Sequence, residues 1–538
     1  MVDVLLVGAE ELENLATRYL AAVLRQHGYT VELAPFSRAD EMDAVVQRAR
    51  AIQPRLIGLS IVFQYRAPEF LALAEQLKQF LPKTHITVGG HFPTFTASEL
   101  LRDYPALDSI VRGEGEATLL ELVQRLDAPE TWDTILGLAF RRDQRVIENP
   151  PRPLIADLDT LPLPSRDTYP QQHLGIGVSP IIGSRGCYRD CSFCSIRAFY
   201  GDSHGKLQRF RSVPNLVDEM EMLYHKFGVR FFIFNDDEWF PPGNLRWQRL
   251  DDLESELRRR NLDVIMSIKC RADDVEAAMF RRLVDLGVVR AYIGIESGSE
   301  HSLRTLNKKT TVAQNRRALE VLNQVGMLAD FGMIFFDPES TAQDIRANLD
   351  FFRLMAGEGK SPLSYGRLEV YAGTPIQERL LREGRLTGNY LAWNYTMPDP
   401  RVELLFRMMY AVMRQRHYDN TGAGKQCLLA YYELMMYRYI QRERADALLA
   451  HRLQEIVARV NNHSLDVMEA MFDFTLRENI YDVSSVNTQV ARWASQVNLF
   501  DVQIQTELAE WRQALISLVS LISSSQETKG NEGTGRSA

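Results

Sequence analysis

Short apolar runs alternate with amphipathic stretches through most of the chain. In the first 140 residues DVLLVG (3–8), LIGLSIV (56–62), HITVGG (85–90) and SIVRGEGE (109–116) read as buried strands. Between them apolar positions recur at helical spacing, as at Leu12, Leu15, Ala16, Tyr19, Leu20, Val23 and Leu24, and again over 67–80. This alternation predicts an α/β fold, a doubly wound, Rossmann-like parallel sheet with helices on both faces. Such sheets bind ligands outside the carboxyl ends of their strands. The polar and glycine-rich residues gather there: Gly8–Glu10, Ser60, Gly89–His91 and Gly113–Glu116.

A second alternating region covers 178–385. Its strand candidates are VSPIIGS (178–184), VRFFIFND (229–236), DVIMSIKC (263–270), VVRAYIGIES (288–297), ADFGMIFF (329–336) and YGRLEVYAG (365–373). Six strand–helix units in ~200 residues suit a partial (β/α)6 barrel with its chemistry at the strand carboxyl ends. Between the two regions, residues 141–177 hold Pro150, Pro151, Pro153, Pro162, Pro164 and Pro170, which marks an extended linker. From 386 to 522 the pattern is helical, and the Ser/Gly-rich end, 523–538, reads as disordered. The Met and Tyr stripe over 408–440 reads as helix core. Arg258–Arg260 close a helix that opens in acids at Asp251, so pairing with the helix dipole accounts for them.

Composition narrows the classes. The chain has 538 residues, 45% hydrophobic and 25% charged, and 62 Lys plus Arg against 70 Asp plus Glu give a net charge of −8. That mild acidity argues against nucleic acid or an anionic membrane surface as the main partner. Five cysteines do not make a disulfide scaffold. No run reaches the ~18 apolar residues of a membrane span. The opening MVDVLLVGAEELEN lacks the pattern of a secretory signal. A reducing cytoplasm is the expected compartment.

Three of the five cysteines crowd into SRGCYRDCSFCSI. Cys187, Cys191 and Cys194 form Cys-x-x-x-Cys-x-x-Cys on the loop after a strand. A structural zinc site normally takes four ligands as two close pairs. Here no second pair follows: Cys270 and Cys427 are isolated, and His173 and His204 stand alone. Three thiolates suit a [4Fe-4S] cluster with one iron left open to a substrate.

With Phe193 before the third cysteine, this segment resembles the radical SAM enzymes. The resemblance implies that the open iron chelates S-adenosylmethionine (SAM), and that an electron from the cluster cleaves SAM to a 5′-deoxyadenosyl radical. FNDDEWF (234–240) resembles the family's second-strand motif, which makes Asp236, and less so Asp237, a SAM contact. IGIESGSE (293–300) followed by LRTLNKKTT (303–311) resembles the fourth-strand signature, with Glu296 as a further SAM ligand. GTP (373–375) resembles a loop near the barrel's end, and Arg271 is a weaker candidate for reaching SAM. One segment departs. The family often has Gly-x-Pro-Gly-Glu-Thr after the fifth strand, whereas FDPEST (336–341) keeps Pro338 and Thr341 and lacks both glycines.

LIGLSIV, then TVGGHFPT, then RGEGE resembles the cobalamin-binding domain fused to some of these enzymes. Gly8, Ser60, Gly89, Gly90, His91, Gly113 and Glu114 are then the expected cobalamin contacts. The glycines permit close backbone approach, and Ser60 offers a hydroxyl to the nucleotide tail. Histidine-ligating cobalamin domains carry Asp-x-His-x-x-Gly. None of His27, His85 and His91 has that setting, so no histidine is expected below the cobalt.

The resemblance implies cobalamin, SAM and a [4Fe-4S] cluster as cofactors, and C-methylation of an unactivated carbon in a specialised metabolite or peptide, with two SAM per turnover. It also implies an electron donor, flavodoxin or ferredoxin. The alternatives are a cobalamin radical SAM reaction without methyl transfer, such as cyclisation or ring contraction, and a non-enzymatic cobalamin or redox sensor.

Overall fold

A computed structural model describes residues 2–10, 12–168, 170–201, 203–441 and 447–532, without the side chains of 440, 441 and 520–532. The chain forms two compact units. The first comprises Met1–Gln171, Ser179–Leu262 and Glu369–Tyr395, and the second comprises Gln172–Val178, Asp263–Leu368 and Thr396–Ala538.

The first unit opens with a seven-stranded sheet: β1 (Val4–Gly8), β2 (Val31–Pro35), β3 (Leu56–Ser60), β4 (His85–Gly89), β5 (Ser109–Val111), β6 (Leu138–Arg142) and β7 (Arg145–Glu148). The order is β2-β1-β3-β4-β5-β6-β7, parallel from β2 to β5. It is the doubly wound sheet expected, with three more strands. VELAP, which forms β2, is only partly buried and carries Glu32 and Pro35, so it shows no apolar run. The hairpin β6–β7 turns at Asp143 and Gln144, both at positive φ (46° and 65°), the geometry of a tight two-residue turn. Both faces are covered. Helices Met42–Ile52 and Ala67–Phe80 pack on one face, and Leu15–Gln26 and Glu116–Gln124 on the other.

The proline-rich segment carries little regular structure but is fastened to this domain. Ser165 N–H donates to Arg18 O (3.1 Å), and Asp167 pairs with Arg25 (2.7 Å). Arg166 bridges Glu13 (2.6 Å) and Glu219 (2.5 Å). Residues 387–389 and 392–394, expected in the helical region, form an antiparallel hairpin whose Tyr390 and Leu391 pack on the front domain's core.

The second alternating region supplies a partial barrel. The first unit carries β9 (Val229–Phe234) and the end of β8 (Ile176–Ile181). The second carries β10 (Ile265–Arg271), β11 (Val288–Glu296), β12 (Leu328–Phe336) and β13 (Tyr365–Arg367), parallel and paired in chain order. Helices Pro400–Tyr418, Ala423–Gln441, Ala447–Arg477 and Val483–Glu532 complete the second unit. Met408, Met409, Met413, Met435, Met436 and Tyr437 are buried there, as the core reading of that stripe expects. The expectation for the tail falls in part on 533–538, which lie outside the described residues. No helix among the described residues is long and apolar enough to cross a membrane.

Candidate cofactor sites

The cysteine loop begins at Gly186, directly after the short strand Ser184–Arg185. Gly186 sits at φ 82°, and a Cβ there would lie 1.8 Å from Leu207 O, so no larger residue fits. Its N–H donates to Asp237 Oδ2 (2.8 Å). Cys191 O accepts from Cys194 N–H (3.3 Å), which turns the loop back on itself before the helix Ser195–Gly201. The GTP segment lies against it: Ile376 N–H donates to Ser192 O (3.0 Å), and Thr374 caps the helix Pro375–Arg382. Burial pushes the Cys187 thiol up to about 11 and the Cys194 thiol to about 12, so iron binding must displace their protons.

Among the described residues no three His, Cys, Asp or Glu side chains are grouped to hold a single metal ion. A cluster makes a different demand, because each of its cysteines binds a different iron. An all-thiol donor set of three on one loop, with Cys191 buried and Cys187 and Cys194 half-buried, fits it.

A cavity of about 260 Å³ opens at the carboxyl ends of β3, β4 and β5. Its floor is apolar, with Leu6, Leu59, Val88 and Leu119, and the helix Leu15–Gln26 contributes Ala16, Tyr19 and Leu20. Ser60, Gly89, Gly90, His91, Gly113 and Glu114 all line it; Gly8 does not, and a Cβ at Gly8 would meet the Asn14 amide at 2.5 Å. Gly90 (φ 118°) presses on the backbone, with Ile61 O 2.4 Å from where a Cβ would stand. The volume suits the nucleotide tail of cobalamin rather than the corrin plate. An apolar slot with glycine walls fits such a tail.

Two expected contacts have protein partners already. Both Glu114 oxygens face arginines, Oε1 on Arg185 (2.9 Å) and Oε2 on Arg209 (2.7 Å), and Oε2 also accepts from Ile155 N–H (2.8 Å). His91 stacks flat on Phe199, with ring centroids 4.0 Å apart, and its Nδ1 lies 3.4 Å from Ser195 Oγ. Burial lowers its imidazole to about 4, so the ring is neutral.

The expected SAM residues fall in different settings. Asp236, 1% exposed, accepts from Gly183 N–H (3.0 Å) and Ser184 Oγ–H (2.5 Å), and burial raises its carboxyl to about 6. Its neighbour Asp237 lines the cavity instead. Phe193 is half-buried on the cysteine loop. In the second unit Glu296 ends β11 at φ 63° and accepts from Lys308 Nζ (2.7 Å). Arg271 is occupied by Asp273 (2.8 Å) and the Lys308 carbonyl (2.6 Å). Sequence reasoning missed Gly58, Thr87 and the wall from Leu15–Gln26; a glycine inside the apolar LIGLS run was the available signal.

Comparison with known proteins agrees with this arrangement. Residues 1–123 match the B12 binding domain and 181–352 match the Radical SAM superfamily. An uncharacterised methyltransferase of Pyrococcus horikoshii is 26% identical over 424 residues, 78% of this chain and 86% of that protein. The anaerobic magnesium-protoporphyrin IX monomethyl ester cyclase of Cereibacter sphaeroides is 29% identical over 432 residues, 76% of this chain and 68% of that one. The structure of the cobalamin-dependent SAM radical enzyme OxsB, with aqua-cobalamin and SAM bound, shares this fold: TM-score 0.68 at 20% identity, covering 98% of this chain and 81% of that one. A B12-binding domain followed by a radical SAM domain, with the cysteine triplet in place, makes this chain a cobalamin-binding radical SAM enzyme whose cofactors are cobalamin, SAM and a [4Fe-4S] cluster.

Proposed function

We propose that the protein C-methylates an unactivated carbon of a small molecule or peptide, using two SAM per turnover and a flavodoxin or ferredoxin as electron source. One SAM provides the methyl group, and the other is cleaved to the radical that removes a substrate hydrogen. Bound cobalamin supplies methyl transfer and the cluster supplies the electron.

The observation that carries the reading is that one unit holds both the cysteine loop and the glycine-lined cavity, and that Arg185, Phe199 and Tyr200, which flank the cysteines in sequence, line that cavity. The chain's own part is positional. The cysteine loop holds three thiols on a fixed turn, the apolar slot excludes water, and Gly89–Gly90 admit a ligand close to the backbone. The methyltransferase named among the relatives favours this outcome.

A second reading, radical chemistry without methyl transfer, is favoured by the cyclase relative. Incubation with SAM bearing a deuterated methyl group separates them. Methylation predicts a product carrying three deuterium atoms; a product formed without deuterium would favour the cyclase-like reading.

A further inference from the structure

The RGEGE segment was expected to contact cobalamin; its two glutamates line the cavity and also face the cluster loop. Glu114 and Glu116 follow β5 in the front domain. Arg185 stands two residues before Cys187, and its guanidinium lies between them: Nη1 on Glu114 (2.9 Å), Nη2 on Glu116 (2.6 Å). Arg209 closes the group on the other Glu114 oxygen (2.7 Å). All four side chains are largely buried, from 2% to 12% exposed, and their formal charges cancel. The Arg185 guanidinium also covers the Tyr19 ring at 5.2 Å, and Arg209 covers Tyr200 at 5.1 Å.

The far end of the loop is held in the same way. Cys194 is followed directly by Ser195, which His91 approaches at 3.4 Å, and Phe199 carries the His91 stack. The eight residues that hold the three cysteines are therefore bracketed on both sides by front-domain side chains. Arg185, Glu114, Glu116, His91 and Phe199 are also cavity wall. A ligand in the cavity touches the side chains that fix the cluster loop.

We propose that Glu114, Glu116 and His91 are positioning residues that couple the two cofactors, so that cobalamin in the cavity and the cluster on its loop each tighten the binding of the other. The coupling must be reciprocal, because linkage between two bound ligands is. It rests on the front domain taking cobalamin and goes beyond the choice between methylation and its alternative. It needs no new contact between the cofactors: ordering the wall for one orders the loop for the other.

The test is a pair of affinities. The dissociation constant of hydroxocobalamin is measured by absorbance on the iron-free chain and on the cluster-loaded chain, without SAM or turnover. The loaded chain should bind about 5- to 150-fold more tightly, the usual range of such couplings. In Glu114→Gln/Glu116→Gln the ratio should fall toward one, while Arg185→Lys, which keeps the charge, should retain most of it. A ratio of one in the unaltered protein, or a ratio unchanged in the double variant, overturns the proposal. No cobalamin binding in either form would overturn the cofactor assignment as well. Should the double variant fail to fold, iron loss from the unaltered protein to a chelator decides: hydroxocobalamin should slow it, and an unchanged rate would contradict the coupling.

Discussion

Asp236 and Glu296 are two acids at the carboxyl ends of barrel strands, one in each unit, and the same cue in the sequence marks both. Their surroundings differ. Asp236 is enclosed and holds Gly183 N–H and the Ser184 hydroxyl, so it ties the segment leading into the cysteine loop to the end of β9. Glu296 is 17% exposed, at positive φ, with the ammonium of Lys308 (5% exposed) as its partner. A strand-end position says that an acid is near the mouth of a parallel barrel. Whether the acid can meet a ligand depends on which donors already hold it. Asp236 braces a strand end with both of its oxygens, while Glu296 keeps partial exposure beside Lys308.

The comparison sharpens first against the cysteines. Changing Cys187, Cys191 and Cys194 to Ala should remove all cluster iron, the ~400 nm absorbance and 5′-deoxyadenosine formation, whereas changing either acid should leave iron content intact. Iron quantified in the same samples checks this; retained stoichiometric iron in the triple variant would contradict it. Next in size is Glu296→Ala. It leaves Lys308 buried and unpaired, a change that costs about 3–5 kcal/mol when a buried pair loses one partner. Adding Lys308→Met should recover much of the stability in urea unfolding but not the SAM cleavage. Recovery of both would reduce Glu296 to a structural acid.

Asp236 gives a pH signature. Its folded carboxyl is raised to about 6, above the ordinary 3.8, so the folded state holds the proton more tightly than the unfolded chain. Its contribution to stability is therefore fully present below pH ~4 and is lost as pH rises through ~6, on the order of 2–3 kcal/mol. Asp236→Asn should remove that decline. Buried His85 and His91, both lowered to about 4, act in the opposite sense over the same range, so the difference between variant and parent isolates Asp236. The smallest effect is expected from Gly90→Ala. A methyl group there meets Ile61 O at 2.4 Å in a backbone region that only glycine adopts readily, at a cost of about 1–3 kcal/mol. Thermal unfolding should register the loss, together with weaker cobalamin binding; a variant as stable as the parent would show that the loop yields.

Much of this architecture was legible. The alternation of apolar runs gave both α/β regions, and one triplet of cysteines marked the loop proposed to carry the cluster. The strands it missed lack a continuous apolar run: β2, VELAP, carries Glu32 and ends on Pro35, and β6–β7, LAFRR and RVIE, are interrupted by arginines. The site was legible only by position. Gly89, Gly90, Gly113 and Ser60 line the cavity as their places after strands suggested, because a strand end fixes where a backbone atom goes. Glu114 and Asp236 could not be read the same way. Their partners lie 71 and 52 residues away, Arg185 and Ser184, and no local pattern carries such a pairing.

The most direct test of the central claim is the balance of SAM-derived products. The anaerobically reconstituted enzyme, loaded with cobalamin and reduced, is given SAM and its substrate, and 5′-deoxyadenosine and S-adenosylhomocysteine are quantified together. Methylation with two SAM predicts equal amounts of the two, each matching the methylated product. Formation of 5′-deoxyadenosine with no S-adenosylhomocysteine while substrate is consumed would contradict it.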